Sequence, residues 1–249
     1  MTVNDIFEFL NDIAPANTAC DFDNAGILVG DPSADVSGAV VALDCTASAI
    51  KTAIKNNCEL IITHHPVIFD PLKTVLTGST VFELIKSGIS VISMHTNLDI
   101  AVSGVNDCLC RVLEFDNFEK RPASDGYLLN FAELDTPLSA DELARHIKEK
   151  LGGSVKFTDS GKNIKRVALC SGSGGGYAFD TAVSCCDALV TADVKHNIFI
   201  DTERLGISVF DAGHFNTEDV VTEPLKGLLS EKFKTVSFYA DHHSEIKYV

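Results

Sequence analysis

Three short segments carry the residues that could do chemistry. Thr63-His64-His65-Pro66 sets two imidazoles side by side, and the proline holds His65 in an extended conformation. His95-Thr-Asn-Leu-Asp99 puts an imidazole one helical turn ahead of a carboxylate, and His214-Phe-Asn-Thr-Glu218 repeats that spacing. Each segment alone has an ordinary structural reading. The His pair can close a strand, Asn97 or Asp99 can cap the helix that follows, and Glu218 suits a helix N-terminus. A helix starting near Asn216 would put Glu218 in its first turn and His214 just ahead, with both facing one point.

The combination says more than the parts. Each segment follows an apolar run: Glu59-Leu-Ile-Ile, Ser90-Val-Ile-Ser-Met and Ile207-Ser-Val-Phe. In parallel α/β sheets, ligands gather beyond the carboxyl ends of the strands. His64, His65, Asp99, His214 and Glu218 exceed the three or four ligands that one ion needs. With two carboxylates among them, they suit a pair of ions bridged by a carboxylate and a water. Mixed nitrogen and oxygen donors point to Zn, Fe, Mn, Co or Ni rather than to Ca or Mg alone.

The elements that must position these residues occur twice. Val41-Ala42-Leu43, a helical stretch and Cys58-Glu-Leu-Ile-Ile-Thr63 are answered by Val167-Ala168-Leu169, a second helical stretch and Cys186-Asp-Ala-Leu-Val-Thr191. Gly88-Ile-Ser-Val91 returns as Gly206-Ile-Ser-Val209, and each copy leads into a histidine, His95 or His214. Short β-rich runs between helical segments predict strands buried on both faces. The fold expected is α/β: two related halves from an internal duplication, with mostly parallel or mixed sheets and the metal site between them. Residues 1–124, completed by 215–249, form the first half, and 125–214 the second. Helical patterns cover 47–57, 80–87, 105–113, 140–151, 177–185 and 220–232. Ser139 opens the fourth with a Ser-x-x-Glu box, and Gly152-Gly153 closes it.

Other candidates are weaker. Asp193 and His196 follow the strand equivalent to the one ending in His64-His65, and Ala192-Asp193 take the places of that pair. They suit proton transfer near the site, although Asp193 could equally cap a helix. Ser171-Gly-Ser-Gly-Gly-Gly176 could cradle a phosphate, but no Gly-Lys-Ser/Thr follows, and a tight strand-to-helix turn fits as well. Asp241-His242-His243 reads as a surface tail.

Composition narrows the classes. The 249 residues are 45% hydrophobic and 22% charged, which fits a globular protein, and no apolar run is long enough for a bilayer. The net charge of −15 disfavours nucleic acid as a general partner. The acidic first residues lack a signal peptide's basic and apolar regions, so the cytoplasm is expected. The eight cysteines lack CxxC spacing and read as buried reduced thiols, with Cys58, Cys170, Cys185 and Cys186 beside apolar runs as small hydrophobes.

The motif set resembles the Nif-three-like family of dinuclear-metal hexameric proteins, also known as GTP cyclohydrolase I type-two homologues. The resemblance spans nearly the whole chain. It runs from Asp23-Asn24-Ala-Gly26-Ile-Leu-Val-Gly30 through the two motifs at His64 and His95 to Thr191-Ala-Asp193-Val-Lys-His196 and Gly213-His214-x-x-Thr-Glu218. It implies the short form of the family, two divalent ions per chain on His64, His65, Asp99, His214 and Glu218, and Glu218 as the bridge. It further implies a ring-shaped homohexamer whose sites face a cavity, with His95 beside the ions or the substrate. Phe22 stands where members often carry Trp, and Ala192 where Gly is usual. The activity implied is hydrolysis of a nucleotide-like, cyclic amide or phosphoester substrate through a metal-bridging hydroxide. The alternative is a non-catalytic metal-binding regulatory or interaction protein.

Overall fold

The patterned runs fold as strands and the amphipathic stretches as helices. In chain order the first elements are α1 (Val3–Ile13), β1 (Gly26–Val29), β2 (Gly38–Ala42), α2 (Ala47–Lys55), β3 (Leu60–Thr63), α3 (Thr80–Ser87), β4 (Ser90–Ser93) and α4 (Thr96–Ile100). Next come α5 (Val105–Val112), β5 (Phe118–Pro122), β6 (Leu128–Leu138), α6 (Ala140–Leu151), β7 (Lys156–Phe157) and β8 (Ile164–Leu169). Then follow α7 (Ala178–Val183), β9 (Ala188–Thr191), α8 (His196–Leu205), β10 (Ser208–Asp211), α9 (His214–Glu218), α10 (Thr222–Lys232) and β11 (Ser237–Asp241). The structure, a computed structural model, describes residues 1–247. It divides into one unit of Met1–Gly104 with Val221–Glu245, and another of Val105–Val220 with the segment from Ile246.

Each unit is built on a mixed sheet. The first has strand order β1-β4-β3-β2-β11, parallel except for β1, which runs antiparallel against β4. The second has order β5-β6-β8-β9-β10-β7. Its centre, β8-β9-β10, is parallel, and β6 and β7 flank that centre antiparallel. Both units thus contain a βαβαβ core with an antiparallel strand beyond its third member. Residues alternate between faces, as strand geometry requires. In the second unit, Val167, Leu169, Ala188, Val190 and Phe210 pack on the side of α5 and α6. Ala168, Cys170, Leu189 and Val209 pack on the side of α7 and α8. Each large apolar side chain so buried contributes about 1.5–3 kcal/mol. Among the described residues no helix is long and apolar enough to cross a membrane.

Strand pairing corrects the alignment of the repeat. Thr63 pairs with Ser93, and Thr191 with Asp211, so the two threonines are equivalent. Ala42 pairs with Thr63, whereas Leu169 pairs with Val190, so Cys170 takes the place of Ala42. The repeat of Ala39-Val-Val-Ala42 is therefore Val167-Ala-Leu-Cys170, two residues on from the similarity that the side chains suggest. With that shift, Cys170 to Thr191 is the same length as Ala42 to Thr63. His95 then matches Gly213, and the two histidines after the shared tetrapeptide are one position out of step. The tetrapeptide itself has a clear cause. Gly88 and Gly206 end α3 and α8 in the left-handed conformation, at φ 67° and 65°. The Ile, Ser and Val that follow are buried in both copies.

Helix starts obey local chemistry. Thr2 with Asp5, and Ser139 with Glu142, form capping boxes on α1 and α6. α9 begins at His214, directly after Gly213, and not near Asn216. Glu218 therefore closes this five-residue helix rather than opening it. Cys185 also departs from expectation. It sits exposed in the turn after α7, whereas Cys58, Cys170 and Cys186 are buried.

Candidate metal centre

In the first unit, the ladder that carries the core strands runs on past their ends. His64 and His65 donate backbone N–H bonds to the carbonyls of Ala42 and Leu43, and Met94 donates to that of Thr63. Two buried hydroxyls, on Thr63 and Ser93, lie 2.8 Å apart, and Thr63 Oγ1 donates to the His65 carbonyl at 2.8 Å. This scaffold fixes the backbone from which three imidazoles project. The ring centroids of His64, His65 and His95 stand 5.0, 5.2 and 5.5 Å from one another. One ring nitrogen from each lies within 4.8 Å of the others, a separation that a shared ion can span. Asp99, on α4, brings Oδ1 to 3.4 Å from His64 Nε2, and both residues are buried.

Each imidazole is held from behind. His64 Nδ1 donates to the carbonyl of Met94 at 2.9 Å, since a carbonyl only accepts. His65 Nδ1 meets Asp44 Oδ1 at 2.7 Å, and His95 Nδ1 meets Asp23 Oδ1 at 2.7 Å. Burial pushes the Asp23 carboxyl up. Hydrogen bonds from His95 and from the hydroxyl and amide of Thr96 outweigh that and hold it well below the usual carboxylate range. Asp23 is therefore ionised and accepts from His95. With Nδ1 bonded, the lone pair left to each ring is on Nε2, the arrangement that metal-binding histidines adopt.

The second unit repeats the pattern with fewer rings. His214 Nδ1 meets Asp193 Oδ2 at 2.7 Å, and its Nε2 lies 3.0 Å from Glu218 Oε2. Asp193 stands in the left-handed region at φ 49°, and α8 starts later, at His196, so Asp193 orients an imidazole and is not a helix cap. His196 does not join this group. It lines an open cleft of about 400 Å³ with Lys156, Phe157, Thr158, Val194 and Phe199. His242 pairs with Glu223 at 3.1 Å and His243 with Glu245 at 3.2 Å, as surface contacts.

Sequence reading gave no role to Asp44 or Asp23. Asp44 was within reach of it, because it stands two residues past β2, at the same strand-end edge as His65. Asp23 lies in a loop with no apolar run before it, and only the fold brings it to His95. Buried His64 and Asp99 fit a divalent ion by chemistry as well as by spacing, since charge buried in a core requires a partner of opposite sign. In the first unit His64, His65 and His95 form a group that could bind a metal.

Known proteins resemble this chain in sequence and fold. The GTP cyclohydrolase 1 type 2 homolog of Clostridium perfringens is 34% identical over 244 residues, covering 94% of this chain and 92% of its own. A homolog of the same name from Campylobacter jejuni is 33% identical over 248 residues, covering 95% of this chain and 97% of its own. The crystal structure of a Staphylococcus aureus hypothetical protein superposes with a TM-score of 0.92 at 28% identity, covering 100% of this chain and 99% of that one. Reduced HcgD from Methanocaldococcus jannaschii superposes with a TM-score of 0.83 at 29% identity, covering 96% of this chain and 97% of that one. A family model, Duf34/NIF3 (NGG1p interacting factor 3), matches residues 1–245, and the chain belongs to that family.

Proposed function

We propose that this chain holds two divalent transition-metal ions with His64, His65, Asp99, His214 and Glu218, with Glu218 as the bridge, and uses them as a hydrolase. The observation that carries the reading is the treatment of the imidazoles. All four, His64, His65, His95 and His214, bond an oxygen acceptor through Nδ1 and so present the Nε2 lone pair, to a metal at His64, His65 and His214 and to a proton at His95. That the ligands of the two units act on one pair of ions is inferred from the motif resemblance.

When bound, such ions lower the pKa of a coordinated water and polarise a carbonyl or phosphoryl oxygen. The protein's own groups supply the rest. Asp193 fixes the ring of His214, and Asp44 that of His65. His95, its Nδ1 bonded to ionised Asp23, takes and returns a proton at Nε2. His196 meets the substrate from its cleft beside Lys156 and Phe199. The name of the Clostridium perfringens relative favours a nucleotide-like ring as the first substrate class to try, with cyclic amides and phosphoesters next. We place the protein in the cytoplasm, where its free thiols persist, and we expect a homohexamer.

Elemental analysis of gently purified protein, paired with a substrate panel run with and without chelator, tests this reading. About two ions per chain and turnover that chelator abolishes are expected. Protein that takes up no transition metal on reconstitution refutes the metal site. Full occupancy without turnover on any class removes the hydrolase and leaves a metal-binding regulatory protein. Light scattering decides the oligomer.

A further inference from the structure

The glycine-rich turn after β8 matches no nucleotide motif, yet Gly172 within it faces the ligand pair of the second unit. A β-carbon at Gly172 would lie 2.0 Å from Glu218 Oε1, 3.0 Å from Glu218 Cδ and 3.2 Å from His214 Nε2. The corrected repeat gives this position a counterpart. Gly172 stands two residues past Cys170, as Asp44 stands two past Ala42. In the first unit a carboxylate grows from that place and meets His65. In the second no side chain grows there, and the carboxylate of Glu218, 4% exposed, fills the space.

Relying on the metal reading above, we infer that Gly172 is a positioning residue for Glu218: the turn exists to admit and seat that carboxylate. The turn is not free to retreat. The Gly172 carbonyl accepts from Gly174 N–H at 2.9 Å, Ala192 N–H at 2.8 Å and Thr191 Oγ1 at 3.1 Å. Its N–H donates to Thr217 Oγ1 at 3.0 Å, and Thr217 precedes Glu218 on α9. A side chain at 172 therefore displaces the movable partner, the end of Glu218. The same bonds argue against a phosphate cradle. The amides of Gly172 and Gly174 are already engaged, the latter with Thr191 Oγ1 at 2.9 Å.

The test titrates full-length protein with Co²⁺, following its absorption bands and its competition with a chelator. Gly172→Ala is expected to weaken Co²⁺ by about 10–100-fold, the range for lost support of a metal ligand, and to change the band intensities. Gly161→Ala is the control for backbone strain, with φ +72° and open space at the β-carbon; it should bind as wild type. If Gly172→Ala does not fold, Thr217→Val, which removes the acceptor beneath the turn together with the hydroxyl's own bonds to the Gly213 and His214 carbonyls, should weaken Co²⁺ by several-fold. In a Glu218→Asp background the shorter side chain retreats, so adding Gly172→Ala should cost less than about threefold. Wild-type affinity in Gly172→Ala overturns the inference, as does the same loss in both backgrounds. So does saturable binding of inorganic phosphate that Gly172→Ala abolishes. If wild-type protein takes up no Co²⁺, the metal reading fails, and a crystal structure of metal-free Gly172→Ala decides the inference. Glu218 displaced supports it, and Glu218 unmoved ends it.

Discussion

Asp193 Oδ2 lies 2.7 Å from His214 Nδ1, on the side of the ring away from Glu218. Asp193 takes the repeat position of His65, so the position that holds a candidate ligand in one unit supports a candidate ligand in the other. The pair predicts a separation of effects. Asp193→Asn keeps the shape and tolerates φ 49°, but it loses the charge that fixes the imidazole. Metal affinity should fall about 10–100-fold. Stability of the metal-free protein should stay within about 0.5 kcal/mol, because the carboxylate is more than half exposed. Chelator competition and thermal unfolding measure both, and unchanged affinity would sink the assignment.

How much of this was legible in the sequence depends on what carried the signal. β3, β4, β9 and β10 were plain because apolar runs bounded by polar residues leave few alternatives, and the strand-end rule led from them to His64, His65, Asp99, His214 and Glu218. The repeat was legible as a fact, but its alignment was not. Val41-Ala42-Leu43 and Val167-Ala168-Leu169 look alike because both are apolar, and only hydrogen-bond pairing reveals that Cys170 answers Ala42. The antiparallel strands β5, β6 and β7 escaped because β5 and β7 are short and largely exposed, and β6 passes from a buried run to exposed residues without a clean period. Asp23 and Asp44 escaped because a support for an imidazole is defined by distance, not by spacing.

The cysteines allow a simple chemical check. Burial pushes the thiols of Cys45 and Cys110 up to about 12 and those of Cys58 and Cys186 to about 11, where thiolate is scarce at neutral pH. Cys185 is exposed. A disulfide reagent applied to native protein at pH 7–8 should modify Cys185 in its fastest phase, and Cys185→Ser should remove that phase. Persistence of the phase in that variant would contradict the burial pattern.

A half-buried ion pair makes the second unit vulnerable. Lys120 Nζ lies 2.9 Å from Asp107 Oδ1, and Asn130 Nδ2 donates to the same oxygen at 3.0 Å. Asp107 and Asn130 are buried. Removing Asp107 takes this acceptor from buried Asn130 and half-buried Lys120, so Asp107→Ala should cost about 2–3 kcal/mol. An apolar pair, Asp107→Leu with Lys120→Met, should recover most of that loss. Denaturation midpoints at constant slope read the outcome, and a single variant within about 1 kcal/mol of wild type would show that the pair carries little.

Glu59, at the start of the strand that leads to His64, tethers the neighbouring strand. Its carboxylate accepts from the N–H of Ser37 at 2.9 Å, the N–H of Gly38 at 3.2 Å and the Ser37 hydroxyl at 3.0 Å. Burial pushes this carboxyl up, but the bonds from Ser37 and Gly38 outweigh it and hold it below the usual glutamate value. A group with a depressed folded pKa contributes stability above its unfolded pKa and loses it as pH falls through the folded one. Glu59→Gln keeps the size but weakens the acceptors. With allowance for solvent screening, it should cost about 1 kcal/mol at neutral pH. Below the ordinary glutamate pKa the wild-type carboxylate takes up its proton, while glutamine does not titrate. The stability gap should therefore close as pH drops from about 6 to about 3. Urea denaturation of both proteins across that range decides it, and a gap that stays constant or widens in acid would mean that ionised Glu59 does not hold these strands together.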